Sequence, residues 1–254
     1  MHAAVIIPTY NERENIEELV DEILRLPEPP AIFIVDDNSP DGTGELADAL
    51  ARERRHVYVR HRPAKLGLGT AHIAGFKDAL VGGYQYILTM DADFSHHPQY
   101  IPDLIGACHD HDVVIGSRYV KGGGTRYCRL RRRILSRTGN FVARVVLGLP
   151  AYDCTAGFRC YRRRVVESID LNMIFADGYS FLIEMLCCVQ IQDFRIGEVP
   201  IIYEDRWQGR SKISRQEIVK AMYTVLRLGW SLRVERPMSY SRAQGSGRSG
   251  IREL

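Results

Sequence analysis

Short apolar runs alternate with amphipathic segments along the first half of this 254-residue chain. Five of the runs are predicted strands: Ala4–Ile7, Ala31–Val35, Val57–Arg60, Tyr86–Met90 and Asp112–Ile115. Predicted helices lie between them, the last three near Gly44–Arg52, Thr70–Leu80 and Tyr100–His109. Strands that alternate with helices form right-handed βαβ units. The pattern therefore predicts an α/β fold with a mostly parallel central sheet that is flanked by helices on both faces.

The first predicted helix shows its periodicity most clearly. Its apolar residues recur at helical spacing: Ile16, Leu19, Val20, Ile23 and Leu24. Asn11, with Glu14 three residues later, has the pattern of a capping box. We therefore expect this helix to begin just after Asn11.

The second half of the chain is less regular. A glycine-rich hinge precedes predicted helices over 134–149, Tyr179–Val189 and Arg215–Leu232 and a predicted strand, Phe194–Ile202. The 45% hydrophobic content is that of a globular protein. We expect one domain over residues 1–236, with a regular half at about 1–120 and a less regular half at about 121–236. Residues 237–254, rich in Ser, Gly and Arg, are expected to form a disordered tail.

No segment is expected to cross a membrane, because no run approaches about 18 uncharged apolar residues. The chain begins with a strand-like run rather than with basic residues, so no secretory signal is predicted. Its six cysteines form neither a CxxC pair nor a zinc-binding spacing. These features lead us to expect reduced thiols and a cytoplasmic location.

Polar clusters follow the predicted strands at the point where each strand ends. In an open parallel sheet these ends share one edge, and ligands bind there. Asp91 and Asp93 follow the fourth strand. Two carboxylates so close repel each other unless a cation lies between them, and Mg²⁺ or Mn²⁺ completed by phosphate oxygens meets that need. The alternative is that the Asp-Ala-Asp triplet only ends a strand and starts a turn.

A second acidic cluster follows the second strand, in the segment DDNSPDGT. Asp36, Asp37 and Asp41 either build an Asx turn and a helix cap or line a pocket whose carboxylates accept the ring N–H donors of a nucleobase. The position beside the first strand favours the pocket. Gly67 and Gly69 lack the spacing of a phosphate-binding loop and are interpreted as a tight entrance to the third helix.

Charge is distributed unevenly along the chain. The net charge is only +3, yet residues 113–152 hold nine basic side chains and no carboxylate, so the other 214 residues carry a net charge of −6. We call these nine residues the basic belt: Arg118, Lys121, Arg126, Arg129, Arg131, Arg132, Arg133, Arg137 and Arg144.

The basic belt has three interpretations: a solvated face, a nucleic-acid site or a membrane-binding surface. No nucleic-acid-binding motif accompanies it, whereas anionic lipid attracts arginine. The apolar positions of residues 134–149 would then lie in the membrane interface. The alternative for those positions is packing in the protein core.

Seven motifs occur in one order along residues 3–235: VIIPTYNERENI, VDDNSPDGT, KLGLGTA, MDADFSHHP, GSRYVKGGG, TAGFRCY and DRWQGRSK. Together they resemble the dolichol-phosphate and polyprenol-phosphate mannose synthases, which are inverting family 2 glycosyltransferases. The resemblance implies the GT-A fold, whose central sheet is Rossmann-like and mostly parallel. It also implies a nucleotide-sugar half at about 1–120 and an acceptor and membrane half at about 121–236.

The resemblance further implies roles for individual residues. The donor, GDP-mannose, would contact Pro8, Tyr10, Glu12, Val35, Asp37, Asp91, Ala92, Asp93, Arg118, Arg206 and Lys212. Asp91 and Asp93 would hold Mg²⁺ or Mn²⁺, and together with Arg206 they form the implied catalytic set. The acceptor phosphate would contact Arg118, Arg132 and Ser136. Two positions depart from the family pattern, because Cys128 stands where several relatives carry Trp and Ser95 where some carry a metal-ligating Gln.

The implied reaction is transfer of mannose to a polyprenyl or dolichyl monophosphate, which releases GDP. The acceptor is mostly dianionic at pH 7, so it needs no general base, and neither His96 nor His97 receives that role. The implied partners are the cytosolic surface of a membrane and a small membrane-anchoring subunit, without nucleic acid. The alternatives are a UDP-glucose-dependent enzyme with the same acceptor and a non-catalytic lipid- or RNA-binding protein on the same scaffold.

Overall fold

A computed structural model describes residues 2–128, 130–174, 178–204 and 215–234. The predicted tail, Arg129, Arg206 and Lys212 lie outside these residues. The strands are β1 (Ala3–Thr9), β2 (Ala31–Asp36), β3 (Val57–His61), β4 (Tyr86–Thr89), β5 (Val113–Ser117), β6 (Gly124–Arg126), β7 (Arg159–Arg162), β8 (Ile196–Pro200) and β9 (Ile202–Glu204).

The helices cover much of the remaining chain. They are α1 (Arg13–Leu24), α2 (Thr43–Glu53), α3 (Leu68–Val81), α4 (Ile101–Ala107), α5 (Leu130–Leu147), α6 (Arg163–Ser168), α7 (Tyr179–Ile191) and α8 (Arg215–Val234). Two short 3₁₀ helices are formed by Pro98–Tyr100 and Leu171–Met173.

Seven strands form one sheet in the order β3-β2-β1-β4-β7-β5-β8. β1 pairs in parallel with β2 and with β4, and β5 pairs in parallel with β8. β7 runs antiparallel between β4 and β5. β6 and β9 form a separate small sheet. The predicted α/β fold with a mostly parallel central sheet is thus confirmed.

The side chains of β1 explain why helices cover both faces of the sheet. Ala3, Val5 and Ile7 enter a core built with α1, α2 and α4, whereas Ala4 and Ile6 enter a second core built with α3, α6 and α7. Successive strand residues point to opposite faces, so a strand that is buried on both faces needs a continuous apolar run. A third core joins α5, α7 and α8.

Two of the strands differ from the sequence-based expectations. β7 has no counterpart among the predicted strands, because its four residues include two arginines and no apolar run. The predicted strand Phe194–Ile202 is divided into β8 and β9, which belong to different sheets. Ile201 separates them, and its N–H donates to the carbonyl of Ser117 at 3.0 Å.

The start of α1 contradicts the predicted capping box. The N-cap is Glu12, without a side-chain cap, and Asn11 has a positive φ of 57°. The N–H of Glu12 donates to Thr43 Oγ1 (3.0 Å), and that of Arg13 donates to Asp41 Oδ2 (3.2 Å). Because these acceptors come from the segment after β2, local spacing around Asn11 could not predict them.

Residues 134–149 have two interpretations, packing in the protein core and contact with a membrane interface, and their apolar side chains are partly buried and partly exposed. Ala143, Leu147 and Leu149 pack in the third core. Four other apolar side chains are exposed: Ile134, Leu135, Phe141 and Val145. In the part of the chain that the structure describes, no helix is long and apolar enough to cross a membrane.

An ion pair between a buried glutamate of α7 and a partly exposed arginine of α8 joins the two helices. The side chain of Glu184 has no exposed surface, and its Oε1 accepts a hydrogen bond from Arg227 Nη2 at 2.8 Å. The two helices are therefore joined by charge as well as by the third core.

His72 of α3 is a buried histidine whose two ring nitrogens have no hydrogen-bond partner among the described residues. Its ring stacks on Phe181, with the centroids 5.4 Å apart. Burial lowers the pKa of His72 to about 3, from 6.5 in the unfolded chain. The unfolded chain therefore binds a proton that the folded protein excludes, so stability is full above about pH 6.5 and falls as the pH drops toward the folded-state pKa.

We expect His72→Phe to reduce this acid sensitivity, because Phe keeps the stacking and binds no proton. Between about pH 7 and pH 5 the free energy of unfolding should fall by about 2 kcal/mol more in the wild type than in the variant. Urea unfolding at both pH values measures the difference. The exposed His109→Gln is the matched control and should retain the wild-type dependence. An equal fall in the wild type and His72→Phe would contradict the prediction.

Candidate active site

The segments that follow β1, β2 and β4 meet at one edge of the sheet. β1 lies between the other two strands, and Thr9 at its end pairs in register with Asp36. Hydrogen bonds continue past the strands, from the N–H of Asp37 to the carbonyl of Thr9 (3.0 Å) and from Met90 to Ile6 (3.0 Å). This is the carboxyl edge of the parallel strands, where open α/β sheets bind ligands.

Asp41 forms the Asx turn that the sequence offers as one interpretation, because its carboxylate accepts the N–H of Thr43 (3.0 Å), two residues on. That carboxylate also accepts the hydroxyl of Thr43 (2.6 Å). Asp36 instead contacts Ser39, three residues on. The Oδ1 of Asp36 accepts hydrogen bonds from Thr9 Oγ1 (2.8 Å) and Ser39 Oγ (2.6 Å), and its Oδ2 accepts the N–H of Ser39 (3.0 Å). The cluster therefore organises its own turn and the start of α1.

Asp37 binds the entrance to α3. Its carboxylate forms a buried ion pair with Arg62. It also accepts the N–H groups of Leu66 (3.1 Å) and Gly67 (3.0 Å). These contacts confirm a tight entrance at the KLGLGT segment and engage both oxygens of Asp37. A contact between Asp37 and a nucleobase stays a prediction.

The other residues implied for the donor pocket lie near this edge but differ in exposure. The ammonium of Lys65 lies 3.9 Å from the centroid of the Tyr10 ring. Pro8 is half-buried, and Glu12 is buried. Val35 has no exposed surface and packs in the core on the α3 side. The side chain of Val35 therefore faces away from the edge, where only its main chain lies.

Asp91 and Asp93, the acidic pair, follow β4 at the same edge. Asp93 Oδ1 accepts hydrogen bonds from the N–H (3.1 Å) and the hydroxyl of Ser95. The Asp91 side chain is 35% exposed, whereas Ala92 between them is buried. Among the described residues, no three or more His, Cys, Asp or Glu side chains form a group that could hold a metal. The described residues therefore supply two carboxylates at this position, and Ser95 fixes one of them.

His96 packs behind the acidic pair, and its neighbour does not. His96 is buried, its ring stacks on Phe158 with centroids 5.3 Å apart, and its Nδ1 lies 3.7 Å from Asp91 Oδ2. Burial lowers the pKa of His96 to about 4, so its ring is neutral at pH 7. His97 is exposed, and its Nε2 lies 3.5 Å from Glu22 Oε2.

The turn before β7 also packs against Asp91. A Cβ added to Gly157 would lie 3.3 Å from Asp91 Oδ1. Arg159 is fully buried, and its guanidinium donates at 2.7–2.8 Å to three main-chain carbonyls, those of Cys154, Ala156 and Leu182. The TAGFRCY motif, to which the sequence assigns no role, therefore forms a wall beside the acidic pair.

Arg118 has a partner that the sequence-based reasoning missed. Its Nε and Nη2 donate to Asp153 at 2.7 and 2.6 Å, and Asp153 has no exposed side-chain surface. Although burial opposes the charge, Asp153 raises the pKa of Arg118 above its usual value. Asp153 is the first carboxylate after the carboxylate-free stretch 113–152, which is the signal that could have identified it. A phosphate contact by Arg118 stays a prediction.

Ser136 of α5 is connected to Arg118 by hydrogen bonds. The hydroxyl of Tyr119 donates to Ser136 Oγ (2.7 Å). Asn140 Nδ2 donates to the carbonyl of Ser136 (2.9 Å) and to Thr155 Oγ1 (3.0 Å), which also accepts from Arg118 Nη2 (3.1 Å). The structure thus brings together two of the residues implied for the acceptor phosphate.

Tyr203 of β9 lies among the implied site residues, and the sequence-based reasoning missed it as well. Its ring centroid is 5.2 Å from the guanidinium carbon of Arg118. Burial, with the charges of Asp93 and Asp91, raises the pKa of Tyr203 to about 12, and Arg132 and Arg118 oppose that rise. The ring of Tyr203 also lies 5.6 Å from that of His96, so it contacts both Arg118 and the histidine behind the acidic pair.

Two relatives align with most of this chain. Residues 4–170 match the family described as Glycosyl transferase family 2. A protein named polyprenol monophosphomannose synthase, from Mycolicibacterium smegmatis, is 44% identical over 234 residues, which cover 91% of this chain and 88% of the relative. An undecaprenyl-phosphate mannosyltransferase from Micrococcus luteus is 41% identical over 235 residues, which cover 92% of this chain and 97% of the relative.

Solved structures with the same fold are more distant in sequence. Glucosyl-3-phosphoglycerate synthase from Mycobacterium tuberculosis, in complex with UDP, has a TM-score of 0.64 at 19% identity, over 90% of this chain and 80% of that one. Its complex with Mn²⁺, UDP-glucose and phosphoglyceric acid has a TM-score of 0.63 at 20% identity, over 88% and 79%. This likeness confirms the GT-A fold. With the match over 4–170, it follows that the chain belongs to glycosyltransferase family 2 and is an enzyme of that family.

Proposed function

We propose that this enzyme transfers mannose from GDP-mannose to a polyprenyl monophosphate, with inversion at the sugar carbon and release of GDP. Two relatives whose names specify polyprenyl-phosphate mannosylation support the acceptor and the sugar. The observation that carries the proposal is the position of the Tyr203 ring, which lies 5.2 Å from the Arg118 guanidinium and 5.6 Å from the ring of His96, whose Nδ1 is 3.7 Å from Asp91 Oδ2. The proposed donor site at the acidic pair and the proposed acceptor site at Arg118 would therefore adjoin.

The donor side of the proposal needs a cation at the acidic pair. Asp91 is partly exposed at the carboxyl edge, and Asp93 is fixed by Ser95, so hard oxygen ligands are available for Mg²⁺ or Mn²⁺. When bound, such an ion stabilises the negative charge that develops on the leaving diphosphate. Arg206 and Lys212, by resemblance, would neutralise the same charge. Pro8, Tyr10 and Glu12 would hold the nucleoside.

The acceptor side needs cations but no base. A phosphomonoester is mostly dianionic at pH 7 and is already a nucleophile. Arg118, Arg132 and Ser136 would hold it for in-line attack, which removes much of the entropic cost of bringing two reactants together. His96 is buried and neutral, and the exposed His97 lies beside Glu22. Neither histidine is needed to remove a proton from this acceptor.

A second candidate is transfer of glucose from UDP-glucose to the same kind of acceptor. It is favoured by the solved structure of the Mycobacterium tuberculosis enzyme with UDP-glucose, which shares the fold. The sequence identity of 20% makes this a weaker argument than the two relatives above 40%.

The donor is tested by supplying labelled GDP-mannose or UDP-glucose with polyprenyl phosphate and Mn²⁺, and counting the label that enters the organic phase. We expect label from GDP-mannose, with the β anomer from an α-linked donor. Asp93→Asn should lower kcat by at least about 100-fold, because charge stabilisation is lost. The exposed Asp103→Asn is the matched control. Label from UDP-glucose alone would support the second candidate, and none from either donor would contradict both.

Arg118→Lys tests the acceptor site. Lys keeps the charge but loses the planar, two-point geometry that carboxylates and phosphates need. We expect kcat/KM for the lipid phosphate to fall by about 10- to 100-fold, a larger loss than for the nucleotide sugar, which Arg118 is also expected to contact. The exposed Arg126→Lys is the matched control. If Arg118 only supports the fold through Asp153, thermal stability will fall without a selective loss for the lipid phosphate.

The proposal also requires that the enzyme reach a lipid. Each buried CH₂ contributes about 0.8 kcal/mol to membrane partition, so a long prenyl chain stays in the bilayer. Eight exposed apolar side chains on two packed helices form what we call the apolar face: Ile134, Leu135, Phe141 and Val145 of α5, and Met222, Tyr223, Leu226 and Trp230 of α8. α5 also carries exposed arginines of the basic belt, including Arg131 and Arg133. We propose that this face rests on an anionic membrane surface.

Vesicle flotation tests the apolar face. Phe141 and Trp230 are 64% and 71% exposed, so Phe141→Gln with Trp230→Gln should leave most of the protein unbound at lipid concentrations that bind the wild type. Arg131→Gln with Arg133→Gln should weaken binding to anionic vesicles by about 30-fold, at about 1 kcal/mol per charge. Val81 of α3 is 90% exposed, and Val81→Gln is the control. Unchanged binding in both double variants would refute the proposal.

A further inference from the structure

The two carboxylates of the acidic pair are held in different ways. Asp93 is fixed locally, because Oδ1 accepts both the N–H and the hydroxyl of Ser95. On Asp91, Oδ1 faces Gly157, where a Cβ would lie at 3.3 Å, and Oδ2 faces His96 Nδ1 at 3.7 Å. His96 is therefore a titratable side chain whose ring nitrogen faces Asp91 Oδ2.

The ring of His96 is fixed in place. Phe158 stacks on one side, with an interplanar angle of 26°, and Tyr203 meets it edge-on, with centroids 5.6 Å apart. The residue is 2% exposed, and Nδ1 has no hydrogen-bond partner in the part of the chain that the structure describes. A buried polar nitrogen without a partner costs free energy, so a use for this nitrogen is to be expected.

The distance of 3.7 Å between His96 Nδ1 and Asp91 Oδ2 is only slightly too long for a hydrogen bond. The imidazole is held by two aromatic rings, whereas Asp91 is partly exposed and follows the end of β4. A small rotation of the Asp91 carboxyl group would bring Oδ2 within reach of an Nδ1–H. The other oxygen would then stay directed at the open edge.

We infer that His96 is a positioning residue that donates from Nδ1 to Asp91 Oδ2 and so fixes the carboxylate for a divalent cation. The inference rests on the proposed cation at the acidic pair. Carboxylates that ligate metals are commonly held by such outer hydrogen bonds, and loss of one typically lowers metal affinity by about 10- to 100-fold. Ser95 would serve Asp93 in the same way, so each carboxylate would have its own donor.

The competing explanation is that His96 only fills space between Phe158 and Tyr203. Three variants separate the effect of shape from that of hydrogen bonding. His96→Phe keeps an aromatic ring but has no donor. Asn and Leu share the same branching at Cγ, yet only Asn carries an N–H donor close to the position of Nδ1, so His96→Asn and His96→Leu differ in little else.

The measurement is the dissociation constant of Mn²⁺ in the presence of saturating GDP or UDP, from the electron paramagnetic resonance signal of free Mn²⁺. We expect His96→Phe and His96→Leu to weaken binding by at least about tenfold and His96→Asn to stay within a few-fold of the wild type. His97→Phe is the surface control, and melting curves show which variants fold. If His96→Phe does not fold, the Asn and Leu pair decides the question.

Two results would overturn the inference alone: wild-type affinity in the folded variants that lack a donor, or equal weakening in His96→Asn and His96→Leu. A different result would remove its foundation. If Asp91→Asn binds Mn²⁺ as tightly as the wild type, or if the wild type binds none, the proposed cation at the acidic pair is wrong and the role of His96 falls with it.

Discussion

The parallel pairing of β1 with β2 and β4 is the constraint on which the site depends. It brings the ends of three strands to one edge, with Thr9 beside Asp36 and Met90 bonded to Ile6. A register shift of one residue would turn every side chain to the opposite face and move Val5 from one core into the other. The two cores therefore fix the register, and the register fixes where the acidic residues lie.

Buried charges then hold the loops of this edge together. Asp37 and Arg62 join segments 25 residues apart, and Arg118 and Asp153 join segments 35 residues apart. Arg159 uses main-chain carbonyls in place of a carboxylate. Buried ion pairs are a weak source of net stability, because desolvation offsets their attraction. Here their consequence is positional, since each one fixes a loop at the carboxyl edge of the sheet.

The sequence predicts the features that depend on a single hydrophobic pattern or on a single rule of sheet geometry. A strand buried on both faces must be apolar throughout, so β1, β2 and β5 are visible as apolar runs. Parallel strands end at a common edge, so Asp36 and Asp91 could be expected there. The implied contacts of Arg206 and Lys212 rest on resemblance and remain predictions.

The features that the sequence did not predict depend on contacts between residues far apart in the sequence, or on a strand that runs antiparallel to its neighbours. β7 is antiparallel, with Arg159 at its start beside Thr89 at the end of β4. Residues that precede β7, such as Gly157, therefore lie at the carboxyl edge of the parallel strands. A search limited to the residues that follow each strand misses them. The true acceptor for the N–H of Arg13, Asp41, is 28 residues away, so no local pattern around Asn11 could reveal it.

The ion pair between Glu184 and Arg227 has a consequence for how the enzyme would leave a lipid surface. If α8 entered the bilayer alone, it would have to break that pair and withdraw Val225 and Leu228 from the third core. The helix would therefore stay docked, and detachment would require no refolding. If the proposed membrane contact is correct, the enzyme would move from one membrane to another as a folded unit, at a rate set by the side chains that touch lipid.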